Sequence, residues 1–334
     1  MGLVIGRRVV FKSVGEVVVE DFKLREPSED ELLVKTEVTA ISPGTETAFL
    51  MGLPNTPRKY PMYPGYSNVG VVVETGSSAN FRVGELIASP TQHASYVLVK
   101  GEDVLKVPTG LSPDEATFFN LTSIALQGVR KARIDIGESV VVLGLGIIGQ
   151  LALQLSLLAG ALPVIGIDLY DYRCKVASDL GADYVVNPDK SDVIGEVLKV
   201  TEGRGADVVI EATGNPKAIP LALKLAGKYG RVIVLGSPRG ITDGINFYTD
   251  VHRKGLIIIG AHASLRPKVD SYKFWRTAKE DQEIALRLIA RRRVKVKELI
   301  TAKLKYSEAS RAYHMLIHEK DKVLGVLLDW RESS

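Results

Sequence analysis

The run Ser139-Val-Val-Val-Leu-Gly144-Leu145-Gly146-Ile147-Ile148-Gly149 has the residue types and spacing of a phosphate cradle. An apolar strand enters the Gly-x-Gly-x-x-Gly turn and an apolar helix leaves it. Gly144 permits the tight turn, Gly146 lets the backbone approach a pyrophosphate, and Gly149 lets helix and strand pack closely. The N–H groups at the start of the helix face the phosphates. Asp168 closes the next apolar run, Val164 to Ile167, where its carboxylate can accept hydrogen bonds from a ribose diol. A carboxylate repels a ribose 2′-phosphate, so the expected cofactor is NAD rather than NADP. Arg173 is the counter-signal, and its place in the following helical segment predicts the outer face of that helix.

The elements that must position these residues are legible in the same stretch. Apolar β-branched runs at 139–143, 164–168, 183–187, 207–211, 231–235 and 256–259 alternate with helical segments. That rhythm predicts an α/β fold with a doubly wound parallel sheet of the Rossmann kind. Ligands bind at the carboxyl ends of such strands. Those ends carry Thr213-Gly214-Asn215, Leu235-Gly236-Ser237 and Gly260-Ala261-His262, besides the glycine turn and Asp168. Residues 1 to about 120 read instead as short β-branched runs separated by turn clusters, a β-rich domain. After residue 265 come two amphipathic helices, at 281–293 and 307–318, and a strand-like ending at 323–329. This tail is expected to pack back on the first domain. The expected division is therefore 1–121 with 265–334 for the β-rich domain and 122–264 for the nucleotide domain.

Composition narrows the function classes. The chain has 334 residues, 46% hydrophobic and 25% charged, the profile of a soluble globular protein of two ordinary domains. The net charge of +4 is small and dispersed, so no nucleic-acid partner is expected. The densest basic run, Arg291-Arg292-Arg293 with Lys295 and Lys297, reads as a solvated helix end. No apolar run reaches membrane-spanning length, and the apolar start Leu3-Val4-Ile5 is too short for a signal peptide. A cytoplasmic protein is expected. Cys174 is the only cysteine, which excludes a disulfide within the chain and any Cys-rich zinc site. It reads as a packing residue.

With these pieces in order, the chain resembles the medium-chain dehydrogenase/reductase superfamily over nearly its whole length. The resembling segments are Pro61-Met-Tyr-Pro-Gly65-Tyr66-Ser67-Asn-Val-Gly70, Leu121-Thr122-Ser123-Ile-Ala-Leu, and the nucleotide segment through Leu180-Gly181-Ala182-Asp183. Gly205-Ala-Asp-Val-Val-Ile-Glu-Ala-Thr213-Gly214 and Leu324-Gly-Val-Leu-Leu-Asp-Trp330 belong to the same pattern. The polyol and threonine dehydrogenase branch is the most similar. Ser42-Pro43-Gly44-Thr45-Glu46 resembles a metal-lacking sub-branch that includes bacteriochlorophyllide dehydrogenases. The resemblance implies a GroES-like catalytic domain beside the Rossmann domain, with the active site in the cleft between them. It also implies pairing of the edge strand 255–260 with its copy across a two-fold axis, hence a homodimer or a homotetramer built from it.

The departures carry as much information. Where zinc members of the superfamily have Cys, His and a third acid or Cys, this chain has Ser42, Tyr66 and, near the third place, Asn120. Catalytic zinc takes about three N, S or O ligands and keeps one position open. Ser, Tyr and Asn replace them poorly. The four-Cys structural lobe is missing too, because Gly84 runs almost directly into Tyr96-Val97. No metal is expected at either place.

Without a Lewis acid, hydrogen-bond donors and a proton relay must stabilise an alkoxide-like oxygen. Tyr66 is placed to reach the substrate oxygen, or else fills the vacated metal space as a wall residue. Glu46, next to Thr45, reads as a general base or a grip on a sugar-like hydroxyl, or else as a carboxylate stabilising the first turn of a helix. His93 suits proton transfer near neutrality, in a connection facing the same cleft, or is an exposed loop histidine. Asn120 and Thr122 approach the nicotinamide or substrate, or cap the linking helix. His262 contacts substrate or a second subunit. The leading expectation is a zinc-independent, NAD-dependent interconversion of a secondary alcohol and ketone on a polyol, sugar or cyclitol-like small molecule. An NAD(P)H-dependent enone or quinone reductase is the second reading, although its characteristic tyrosine would fall near Leu53 or Pro54 and is absent there. A non-catalytic NAD-binding module is the third.

Overall fold

The computed structural model describes residues 4–331 of the chain. Its central element is a six-stranded sheet, ordered Tyr184–Val186, Val164–Ile167, Val140–Leu143, Ala206–Glu211, Ala226–Val234 and Ile257–Gly260. Every neighbouring pair is parallel. The strands Val140–Leu143 and Val164–Ile167 are buried along their whole length. Continuous Val/Ile runs form such strands because helices cover both faces of a parallel sheet. The strand order reverses between Val140–Leu143 and Ala206–Glu211, which opens a crevice beyond their carboxyl ends.

The second large sheet has seven strands. Its order is Ile300–Lys305, Gly325–Asp329, Glu31–Ala40, Asn68–Thr75, Leu86–Ser89 and Leu105–Lys106, with Tyr96–Lys100 also paired to Glu31–Ala40. Val4–Ser13 and Glu16–Leu24 form a separate antiparallel hairpin. The C-terminal strand Gly325–Asp329 pairs antiparallel with Glu31–Ala40, Leu327 opposite Ala40. The strand Ile300–Lys305 lies outside it and was not legible in the sequence. Its six residues are all half-buried, so no inside–outside alternation marks it.

One apolar core spans both sheets. It contains Val38, Ala40 and Val69 from the second sheet, Phe119, Leu121 and Ala125 from the helix Phe119–Ala132, and Val140, Leu145 and Ile147 from the nucleotide side. The helix Phe119–Ala132 packs on both Ile147–Leu158 and Ala278–Ala290. Asn120 and Thr122 lie inside this helix, whose N-cap position is Phe118, so neither is a cap. The helix Ala278–Ala290 buries Asp281, Gln282, Ala285, Leu286 and Ile289. The expected apolar face of Ile284, Leu288 and Ile289 is thus rotated, with Ile284 and Leu288 only half-buried. Arg291, Arg292 and Arg293 are exposed beyond the helix end, and Arg292 pairs with Glu115. No helix among the described residues is long and apolar enough to cross a membrane.

Candidate active site

At the switch point the three cradle glycines have distinct geometries. Gly144 has φ +94°, and a Cβ there would lie 2.6 Å from the Thr213 methyl. A Cβ on Gly149 would lie 1.8 Å from the Gly144 carbonyl oxygen, which no side chain can tolerate. A Cβ on Gly146 would meet only the Arg173 guanidinium, at 3.9 Å, so the space above this residue is open. The helix Ile147–Leu158 starts directly after it, with Ile147 and Ile148 in its first turn. These features fit a dinucleotide pyrophosphate set against a helix N-terminus.

Asp168 sits beside that turn. Its Oδ2 accepts from the Leu145 N–H at 2.7 Å and its Oδ1 from the Tyr170 N–H at 3.0 Å. Arg173 does not lie on the outer face of its helix. Its guanidinium approaches Asp168 at 3.8 Å, covers the Tyr170 ring at 4.8 Å, and is largely buried. The arginine therefore belongs to the ribose end of the crevice together with the acid. Buried Cys174 points its thiol at the Asp168 carbonyl and packs under this corner.

The other strand ends close the crevice tightly. A Cβ on Gly214 would lie 2.9 Å from the Ser237 carbonyl, and one on Gly236 2.4 Å from the Gly214 nitrogen. The Thr213 N–H donates to Glu211, whose second carboxylate oxygen is buried without a partner. Burial raises the Glu211 pKa above the ordinary carboxylate value. The hydroxyl of Thr122 is likewise buried and unpartnered.

Between the two sheets lies a cavity of 740 Å³. Thr45, Phe49, Tyr66 and Asn120 line it from one side; Leu235, Ser237, Ala261 and His262 line it from the nucleotide side. Gly260 ends the strand that delivers Ala261 and His262. The Ser42 and Thr45 side chains favour ionisation of the Tyr66 phenol. Burial and the nearby Glu46 carboxylate push its pKa up to about 12, so the phenol keeps its proton at neutral pH. Both ends of the Asn120 amide are hydrogen-bonded. Its Nδ2 donates to the Tyr66 carbonyl at 2.7 Å, and its Oδ1 accepts from Gln282 at 3.0 Å and Ser123 at 3.3 Å.

Glu46 and His93 do not reach the cleft. They are 1% and 0% exposed, behind the wall that carries Thr45 and Tyr66. Glu46 Oε1 accepts from the Ser42 N–H at 2.8 Å, and Oε2 accepts from Tyr313 at 2.5 Å and from His93 Nε2 at 2.9 Å. His93 Nδ1 pairs with the Thr39 hydroxyl at 2.8 Å, which also accepts from Trp330 Nε1. Pro43–Leu50 is a helix with Glu46 in its first turn, so this carboxylate does the work of steadying a helix start. The roles of direct base or substrate grip do not match this placement, because the network leaves Glu46 no route to solvent. Tyr313 lies in no motif of the sequence, and Trp330 ends a family-like segment that carries no sign of this contact. They sit far along the chain and join the site only when the C-terminal strand docks.

The resemblance sets Ser42, Tyr66 and, near the third place, Asn120 against the zinc-ligand positions of zinc-type dehydrogenases. Two neutral hydroxyls and an amide already committed on both ends are a poor donor set for this ion. Among the described residues, no group of three His, Cys, Asp or Glu is placed to hold a metal.

Residues 148–279 match the family model described as zinc-binding dehydrogenase. A D-guloside 3-dehydrogenase of Shigella flexneri is 30% identical over 255 residues, 75% of this chain and 72% of that protein. The chain belongs to the medium-chain, zinc-type alcohol dehydrogenase superfamily. It is, at that level, a nicotinamide-dependent dehydrogenase of the alcohol and polyol type. Among solved structures, a Sinorhizobium meliloti protein described as a zinc-binding dehydrogenase, bound to NADP, superposes with TM-score 0.81 at 26% identity, covering 98% of this chain and 99% of its own. Galactitol-1-phosphate dehydrogenase of Escherichia coli superposes with TM-score 0.83 at 21% identity, covering 97% and 99%. Both share the overall fold of this chain.

The raised tyrosines predict a definite response to alkali. Tyr66 is pushed up to about 12, and burial beside Glu46 also raises Tyr313. A raised pKa stabilises the folded protein fully below the unfolded tyrosine value of 10.0 and loses that stability as pH rises through the folded one. Unfolding midpoints in denaturant should therefore fall between about pH 10 and about pH 12. Tyr313→Phe should show a smaller fall over the same range.

Proposed function

We propose that this protein interconverts a hydroxyl-rich secondary alcohol and its ketone with NAD(H), without a catalytic metal. The protonated Tyr66 phenol in the cleft, backed by the Ser42 and Thr45 hydroxyls, carries this reading. When bound, the nicotinamide supplies the hydride acceptor or donor. The cradle Gly144–Gly149 and Asp168 would hold the dinucleotide. Tyr66 donates a hydrogen bond to the substrate oxygen, where negative charge develops as hydride moves. In ketone reduction its proton passes to that oxygen, and the Ser42 and Thr45 hydroxyls stabilise the phenolate left behind. Glu46 and His93 act as positioning residues that hold the 42–46 turn under the phenol. The polar cleft lining, Thr45, Tyr66, Asn120, Ser237 and Gln282, supports a polyol or sugar-like substrate.

We assign NAD as the cofactor. The Asp168 carboxylate disfavours a 2′-phosphate, while Arg173 beside it would welcome one. The chain is further proposed to pair through its edge strand, where Ile257 and Ile258 are 53% and 45% exposed on an unpaired sheet edge. Such an apolar edge is an association site unless covered.

Chelator-treated protein should reduce NAD with a panel of polyols, sugars and cyclitols. Tyr66→Phe should lower kcat by about 10²-fold or more. Activity that collapses with the chelator and returns with zinc would sink the metal-free reading; saturation of a conjugated double bond would favour an enone reductase instead. Asp168→Asn should lower the NAD-over-NADP ratio of kcat/KM at least about tenfold, and adding Arg173→Ala should remove the gain for NADP. Light scattering should give twice the chain mass or a multiple of that, with Ile258→Lys shifting it towards the monomer. A wild-type monomer would refute the pairing.

A further inference from the structure

Beyond Asn120, the cleft runs into a group of charges that the chemistry above does not use. Arg266 lines the cavity. Its Nη1 donates to the Ser123 hydroxyl at 3.2 Å, while its Nε and Nη2 are buried without any partner. The buried Asp281 carboxylate pairs through Oδ1 with Arg130 Nη2 at 2.7 Å, and its Oδ2 is unpartnered. Lys131 is also buried, over the Trp275 ring at 4.3 Å and donating to the Gly260 carbonyl at 3.3 Å. Arg266 thus shares this corner with Arg130 and Lys131, three cations against the single carboxylate of Asp281. Glu280 and Arg276 lie nearby but form an exposed pair of their own. Glu102 and Asp103 also line the cavity, on an exposed turn. Desolvation lowers the pKa of both Arg266 and Lys131, and each of Arg130 and Lys131 feels the Arg266 charge or imposes its own upon it.

A buried excess of positive charge with open guanidinium donors is costly unless an anion completes it. The donors are hydrogen-bonded onward to the catalytic wall, Arg266 to Ser123, Ser123 to Asn120, and Asn120 to the Tyr66 carbonyl. We propose that the substrate carries an oxyanion, a carboxylate or a phosphoryl group, and that Arg266 receives it in the cleft. This rests on the dehydrogenase reading for the identity of the cleft, and it narrows the substrate class to acidic polyols or polyol phosphates. Arginine suits this work because its planar fork pairs with carboxylate or phosphate through two parallel bonds. Lys268 and Lys279 also line the cavity and add positive charge along the way in, opposite the Glu102 and Asp103 carboxylates.

The test reads binding separately from turnover. Protein loaded with NAD, so that the phosphate cradle is filled, is titrated with sorbitol, gluconate, sorbitol 6-phosphate and inorganic phosphate, following the melting temperature. At least one oxyanion should bind about tenfold or more tightly than sorbitol, the yield of one charge-assisted contact. Arg266→Gln should erase that preference, and Arg266→Lys should restore part of it through charge alone. Should Arg266→Gln fail to fold, the partial loss in Arg266→Lys carries the comparison. Gluconate binding without the phosphates marks a carboxylate subsite; the phosphates without gluconate mark a phosphoryl one. Equal binding of neutral and charged probes, or a preference that survives both substitutions, overturns the proposal. Arg266-dependent anion binding with no oxidation of any panel compound would defeat the dehydrogenase reading and leave the subsite standing. Oxidation of neutral polyols without anion preference would do the reverse.

Discussion

The Glu46 carboxylate is the point on which the catalytic wall depends. A fully buried acid is tolerable only when its lone pairs are taken up, and here three donors from three distant segments do so. The Ser42 N–H fixes the start of the helix Pro43–Leu50, His93 fixes the loop before Tyr96–Lys100, and Tyr313 fixes the C-terminal helix Ala309–His318. The same carboxylate lies close enough to Tyr66 to raise its pKa. One buried carboxylate therefore ties together segments from both ends of the chain and adds to burial in raising the pKa of Tyr66.

The cofactor side is built on a different principle. Its contacts are backbone against backbone, made possible where side chains are absent. Gly149 lets a helix lie on the Gly144 carbonyl, Gly214 and Gly236 let two strand ends touch, and Gly146 leaves space. Around this floor the charged groups include Asp168 with Arg173 beside the glycine turn and the Arg266 corner beyond Gly260. The apolar cluster that includes Val38 and Ile147 packs the two sides against each other.

Legibility followed physical cause. The six nucleotide-sheet strands were readable because each is a dense apolar run between helices, and the observed bounds differ from those runs by a residue or two at most ends. Ala226–Val234 is the exception. Its first residues include Gly227, Lys228 and Gly230, which carry no strand signal. Ile300–Lys305 escaped notice because its residues are all half-buried. Arg173 was expected outside on helical position alone, but its long side chain folds back over Tyr170 to reach Asp168. His93 and Glu46 were recognised as chemically able residues, yet their setting among Thr39, Tyr313 and Trp330 required contacts across more than two hundred positions of sequence.

The sequence by itself determined the parallel sheet, the glycine turn with its acid, and the residue types Ser42, Tyr66 and Asn120 on which the metal-free proposal rests. These are matters of local pattern and residue type, which survive reading one segment at a time. Only the tertiary structure decided which polar groups face the cleft and which are sealed behind it. Orientation depends on what packs against the other side, and for Glu46, Arg173 and Arg266 those neighbours come from elements the chain brings together only on folding.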